Sequence, residues 1–157
     1  MMPQFTDRLR RVCSDRAGTS TIEAALILPL FLALLAGMSD FAMSFAVKLR
    51  TQQAAARTIE YATSAGLERL SLDDLRNEAA AAAQVPLSQV VVLRWLECGG
   101  VRQSVFEAGC DSGQELARYA SVRISNSYRP ILKPFLPATM AKDGLMRFQG
   151  FASARLQ

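Results

Sequence analysis

The sequence predicts an α+β protein: a long N-terminal helix that crosses a membrane and continues beyond it, then a small domain of one helix and an antiparallel sheet of about three strands. Three observations carry this prediction. No charged residue occurs from Ala24 to Ser39, and after Asp40 the chain stays apolar to Val47. Roughly 20 such residues, at about 1.5 Å each, span a hydrocarbon core of about 30 Å. Lys48 to Ala65 then continues in helix formers without Pro or Gly. Farther on, QVVVLRWLE (Gln89 to Glu97) is β-branched and apolar between Pro and Gly-Gly, and LARYASVRISNSY (Leu116 to Tyr128) alternates with the period of a half-buried strand.

In order along the chain, residues 1–18 form a polar leader, 19–47 the membrane helix, 48–66 its continuation outside, and 67–157 the small domain. One helix from Thr19 to Ala65 would be about 70 Å long. Pro29 removes a backbone donor and frees the carbonyl of Ala25, so a loosened turn is expected there. Val47, Thr51, Ala54, Ala55, Thr58, Tyr61, Ala62 and Ala65 fall near one face of the outer half. Their small size suits close packing against another helix. Gly66 is a stop. Ser71 with Asp74 three residues on makes a capping box for a helix over Leu72 to Gln84, and Pro86 closes it. Cys98 to Gly113 is a loop, Pro130, Pro134 and Pro137 mark a crossover, and Leu145 to Leu156 is the last strand. Trp95, Tyr119 and Tyr128 are expected on the packed face of the sheet.

Charge orients the span. Of 18 basic and 14 acidic residues, Arg8, Arg10, Arg11 and Arg16 against Asp7 and Asp15 leave +2 before Gly18. The fourteen bases and twelve acids after it leave +2 more, too scattered for a nucleic-acid footprint. A basic segment ahead of a span stays on the cytoplasmic side, so the C-terminal domain lies outside. Asp40 is expected at the far interface, turned toward headgroups with Lys48 one or two turns away, the alternative being a pairing with a partner subunit. The absence of histidine removes the commonest general base and metal ligand. With no nucleophile–base pair, phosphate loop or paired carboxylates, no enzyme, cofactor or metal is expected. Cys98 and Cys110, twelve positions apart in an oxidising compartment, predict a disulfide, the alternative being two separate buried thiols.

The most specific signal is Gly18-Thr19-Ser20-Thr21-Ile22-Glu23, set directly before the apolar run. It resembles the cleavage and assembly signal of type IV pilin-like proteins. The run Ile22 to Phe31, the Asp40-Phe41 step and the stretch Gln53 to Arg57 extend the likeness to the TadE-like family, the minor pilins or pseudopilins of bacterial Flp/Tad pili. The position after Glu23 is Ala24, where that family usually carries Phe or Tyr. The resemblance implies cleavage by prepilin peptidase between Gly18 and Thr19, and a single-pass inner-membrane protein with a periplasmic domain. It also implies an assembly role for Glu23, whose carboxylate would pair with the freed Thr19 amine of a neighbour, the alternative being an acid that caps the helix N-terminus. The implied partners are the peptidase, the major pilin, other minor pilins of the TadF/TadG-like kind, the inner-membrane assembly platform and the lipid bilayer, without nucleic acid. The alternative is an extracytoplasmic adhesion module with a conventional signal peptide cut after Gly37-Met38-Ser39. The apolar run from Phe41 to Val47 would serve no purpose after such a cut.

Overall fold

The computed structural model describes residues 17–65, 71–132 and 143–156. Most of the leader with Cys13, the expected stop at Gly66, and Pro134 and Pro137 lie outside them. Helix α1 runs Ala17–Ala65, and Pro29 lies inside it. Helix α2 is Leu72–Ala83, followed by a 3-10 turn at Leu87–Gln89. The strands are β1 (Val90–Cys98), β2 (Val101–Arg102), β3 (Leu116–Tyr128) and β4 (Met146–Arg155). The chain divides into two units, residues 1–39 and 40–157.

Within residues 1–39 the described part is helix, and the large apolar side chains Leu26, Ile27, Leu30, Phe31 and Leu34 are exposed. A helix that turns leucine and phenylalanine outward all round needs an apolar surrounding. The helix is long and apolar enough to cross a membrane.

Within residues 40–157 the sheet is antiparallel in the order β2-β1-β3-β4. It has four strands instead of three, because Gly99 and Gly100 both take positive φ. Such a pair allows a two-residue hairpin turn, in which Cys98 pairs with Val101. The segment expected to be wholly loop thus begins with a short strand. Helix α2 starts as its capping box dictates: the Ser71 hydroxyl accepts from the Asp74 amide, and the Asp74 carboxylate accepts from the Ser71 amide. It ends at Gln84, which adopts the left-handed conformation, just ahead of Pro86.

The core lies between one face of the sheet and the two helices. Val90 and Val92 of β1 stand opposite Ile124 and Val122 of β3, and all four are buried with Leu75, Ala79 and Ala83 of α2 and Ala54, Ala55, Ile59 and Ala62 of α1. The small-residue face of α1 is therefore covered by the protein's own α2 and sheet. It does not stand free to receive a second helix, and this half of α1 is part of the domain. The close approach explains the small residues. Gly150 of β4 lies so near α1 that a Cβ would overlap the Thr51 carbonyl. Gly150→Ala is therefore expected to destabilise the domain by about 1–3 kcal/mol. Urea unfolding followed by the fluorescence of Trp95, the single tryptophan, checks this, and an unchanged midpoint would contradict the packing.

Trp95 and Tyr119 take the opposite face of the sheet from the one expected. They form a register pair one residue out of phase with the buried Val92, Leu96, Ala120 and Val122, stacked with ring centroids 5.3 Å apart. The Arg102 guanidinium lies over Trp95, and the indole N–H donates to Glu97.

Candidate functional site

The predicted site residues do not form one cluster. Gly18 and Thr19 lie in the first turn of α1, and Glu23, one turn farther on, is exposed. Among the described residues, no hydrogen bond or ion pair engages the Glu23 carboxylate. Cys98 and Cys110 belong to the other unit, where a disulfide joins them with Cα atoms 5.5 Å apart. The bridge ties the loop after β2 to the end of β1. In that loop Phe106 lies beneath the guanidiniums of Arg94 and Arg118, 4.8 and 5.8 Å from its centroid.

The most constrained polar group is Asp40, only 7% exposed. Its Oδ1 accepts from the Tyr128 hydroxyl at 2.8 Å and from the Ile131 amide at 2.8 Å. Its Oδ2 accepts from the Leu132 amide at 2.8 Å. Both oxygens are thus satisfied by donors at the end of β3 and in the turn after it. A carboxylate withdrawn from water is costly unless its lone pairs are met, and here they are met by three short charge-assisted bonds. The expectation that Asp40 turns toward headgroups is corrected: it faces its own domain. The Tyr128 hydroxyl is held above its ordinary pKa of 10.0, first by the bond to Asp40, then by burial and by the carboxylate's charge. Tyr128 therefore remains a donor throughout the physiological range.

Asp40 opens a line of polar ties along α1. The Ser44 hydroxyl donates to the Phe41 carbonyl of its own helix. Arg50 donates to the Gln84 side chain at 2.6 Å, joining α1 to the end of α2. Thr51 donates to the Val47 carbonyl and accepts from Asn126 at 3.2 Å. Gln52 uses both ends of its amide on β4, donating to the Phe151 carbonyl at 2.9 Å and accepting from the Phe151 amide at 3.3 Å. β4 ends the strand order, so its outer edge presents backbone groups without a strand partner. Gln52 supplies one rung of the missing ladder.

This arrangement is a clasp, in which four helix side chains (Asp40, Arg50, Thr51 and Gln52) hold the domain to α1. Sequence reasoning singled out Asp40 but not its partners, and passed over Gln52. An acid inside an apolar helix signals that a partner exists. It does not say where.

The family model described as TadE-like protein matches residues 18–59. The chain resembles that family over residues 18–59, and the rest of the chain lies outside the match. No curated protein and no solved structure matches the chain. The TadE-like segment begins at Gly18 and ends inside α1, so it contains Glu23 and all four helix-side members of the clasp. Every clasp partner outside α1 (Gln84, Asn126, Tyr128, Ile131, Leu132 and Phe151) lies beyond it. The segment associates the chain with Tad pilus proteins, and its apolar helix reads as a single-pass membrane anchor.

Proposed function

We propose that the protein is a minor pilin, or pseudopilin, of a Tad/Flp-type pilus. It is cut by prepilin peptidase between Gly18 and Thr19 and acts without catalysis in pilus assembly and, through the pilus, in adhesion. The observation that carries this reading is the Gly18-to-Glu23 step at the entrance of the apolar helix, inside the TadE-like segment. Before assembly the protein is held in the inner membrane, its basic leader cytoplasmic and its domain periplasmic, in keeping with the positive-inside rule. Its partners in this reading are the peptidase, the major pilin, other minor pilins and the assembly platform.

The clasp is compatible with the reading: within residues 40–157, three bonds at Asp40 and two at Gln52 hold β4 and the turn after β3 to the outer half of α1.

The test is the mature N-terminus of the protein isolated from its own membranes, read by mass spectrometry. The expected first residue is Thr19. A start at Asp40 would mean conventional signal-peptide processing and a domain released from its anchor. An intact Met1 would mean a plain membrane anchor, and either result would overturn the pilin assignment.

A further inference from the structure

The apolar surface of α1 does not stop at Asp40. Phe41, Met43 and Phe45 follow it with more than half of each residue exposed, and Leu49 is exposed only a little less. Phe41 and Phe45 stack one turn apart, with centroids 6.4 Å from each other. The first basic residues after Asp40 are Lys48 and Arg50. From Asp40 to Lys48 the helix rises about 12 Å. The clasp brings a second segment to the level of Asp40, since Ile131 and Leu132 give their amides to its carboxylate. Ile131 is itself 68% exposed, and Arg129 beside it is exposed too.

Two positions of the water boundary are compatible with a helix of this kind. A boundary at Asp40 leaves two phenylalanines, a methionine and an isoleucine in water. A boundary at Lys48 covers all of them and leaves Lys48 and Arg129 at the level of the lipid phosphates, where basic side chains extend from apolar stems. The second position would be prohibitive for an exposed aspartate. Asp40 is not exposed, and each of its oxygens is bonded. Tyr128, an aromatic ring with one polar end, is of the residue type enriched at that depth.

We propose that this rim of the domain is sunk in the interfacial layer of the bilayer. Phe41, Phe45 and Ile131 lie among the acyl chains next to the headgroups, with Lys48 and Arg129 on lipid phosphates. The occupant of the surface is lipid, because exposed apolar residues lie on the helix both before and after Asp40, and the one exposed polar residue between Leu35 and Lys48 is Ser39, whose hydroxyl is bonded to the Leu35 carbonyl. The proposal rests on the membrane-anchor reading. It makes Asp40 the group that lets a folded domain sit partly below the membrane surface, its charge spent on the turn at residues 131 and 132.

The experiment uses the full chain with Cys13→Ser and the native disulfide intact, reconstituted in vesicles of phosphatidylethanolamine and phosphatidylglycerol. A nitroxide is attached in turn at Ile131→Cys, at Leu32→Cys in the anchor, and at Ser153→Cys, an exposed position on β4. Collision with oxygen, which concentrates in lipid, is compared with collision with a water-soluble nickel chelate. Labels at 32 and 131 are expected to favour oxygen, with a ratio at 131 severalfold higher than at 153. A label at 131 that matches 153 overturns the proposal and leaves the anchor standing. A label at 32 that favours the chelate overturns the anchor reading and the proposal with it. A label at 131 reached by neither reagent shows a protein partner, such as a second copy, on the surface and overturns the assignment to lipid.

Discussion

Replacing Asp40 by asparagine is expected to free the turn at residues 129–132 from α1 while leaving the sheet folded. The carboxylate meets three donors with two oxygens: Oδ1 takes Tyr128 and Ile131, and Oδ2 takes Leu132. Asparagine has one oxygen and one NH2 group. With its oxygen toward Tyr128 and Ile131, the NH2 faces the Leu132 amide, donor against donor. In the flipped orientation the oxygen takes Leu132 and the NH2 faces the Ile131 amide, again donor against donor, even with the Tyr128 hydroxyl turned to accept. Neither orientation satisfies the site, although asparagine has nearly the same shape. Hydrogen exchange reads this directly. The amides of Ile131 and Leu132 should exchange more than about tenfold faster, while those of Val122 and Ile124 in the sheet core stay within about twofold. Unchanged protection at 131 and 132 would show that the clasp does not hold the turn.

The same variant has a second, independent readout in Tyr128. In the native protein the phenol is harder to ionise than in the unfolded chain, because ionisation loses the bond to Asp40 and sets two negative charges side by side. A raised folded pKa means that the folded state holds the proton more tightly. Its contribution to stability is therefore complete below the ordinary value of 10.0 and is lost as pH rises through the raised one. In the Asp40→Asn variant the carboxylate charge is gone, and the phenol should titrate closer to its ordinary value. A tyrosinate absorbance titration of the Tyr128→Phe, Asp40→Asn and native proteins isolates this residue from the other two tyrosines.

The elements of the domain are legible in the sequence because each carries a local signature. The strand expected over Leu116 to Tyr128 is β3 from end to end. The Ser71–Asp74 capping box marks the start of α2. β2 escapes because two residues carry no period, and only the Gly-Gly turn before them announces it. The ties between elements are not legible. The Asp40 carboxylate and the Tyr128 hydroxyl that meets it are 88 residues apart, and its other two donors are backbone amides, which have no residue type to recognise. The small face of α1 is a close-packing surface, as its residues indicate, and it is buried with α2 and also with the sheet, which the residues do not suggest. Small residues say how near the partner comes and not what it is; here Thr51 meets Gly150 of a strand. Period two likewise places Trp95 and Tyr119 on a common face without saying which face meets the helices.

Glu23→Ala is expected to leave cleavage after Gly18 intact and to lower pilus assembly by more than about tenfold, since an ionised side chain in an apolar helix weighs heavily on what that helix joins. Glu23 is exposed between Ile22 and the uncharged run from Ala24 to Ser39, and no group among the described residues compensates it. A helix N-terminus favours an acid, but that influence fades after the first turn, and Glu23 lies beyond it. An assembly role requires compensation from a neighbouring subunit. Cleavage creates a suitable cation, the α-amino group of Thr19, protonated below a pH of about 8. Glu23→Gln separates the two roles that a carboxylate there can play. It keeps the length and a hydrogen-bonding oxygen but not the charge. An ion pair between subunits therefore predicts that Gln fails as Ala does, and that Glu23→Asp, charged but one methylene shorter, is intermediate. Pili counted by electron microscopy, with the mature N-terminus read in the same strains, decide the matter. Normal pili with Gln would reduce Glu23 to a polar contact, and normal pili with Ala would remove it from assembly altogether.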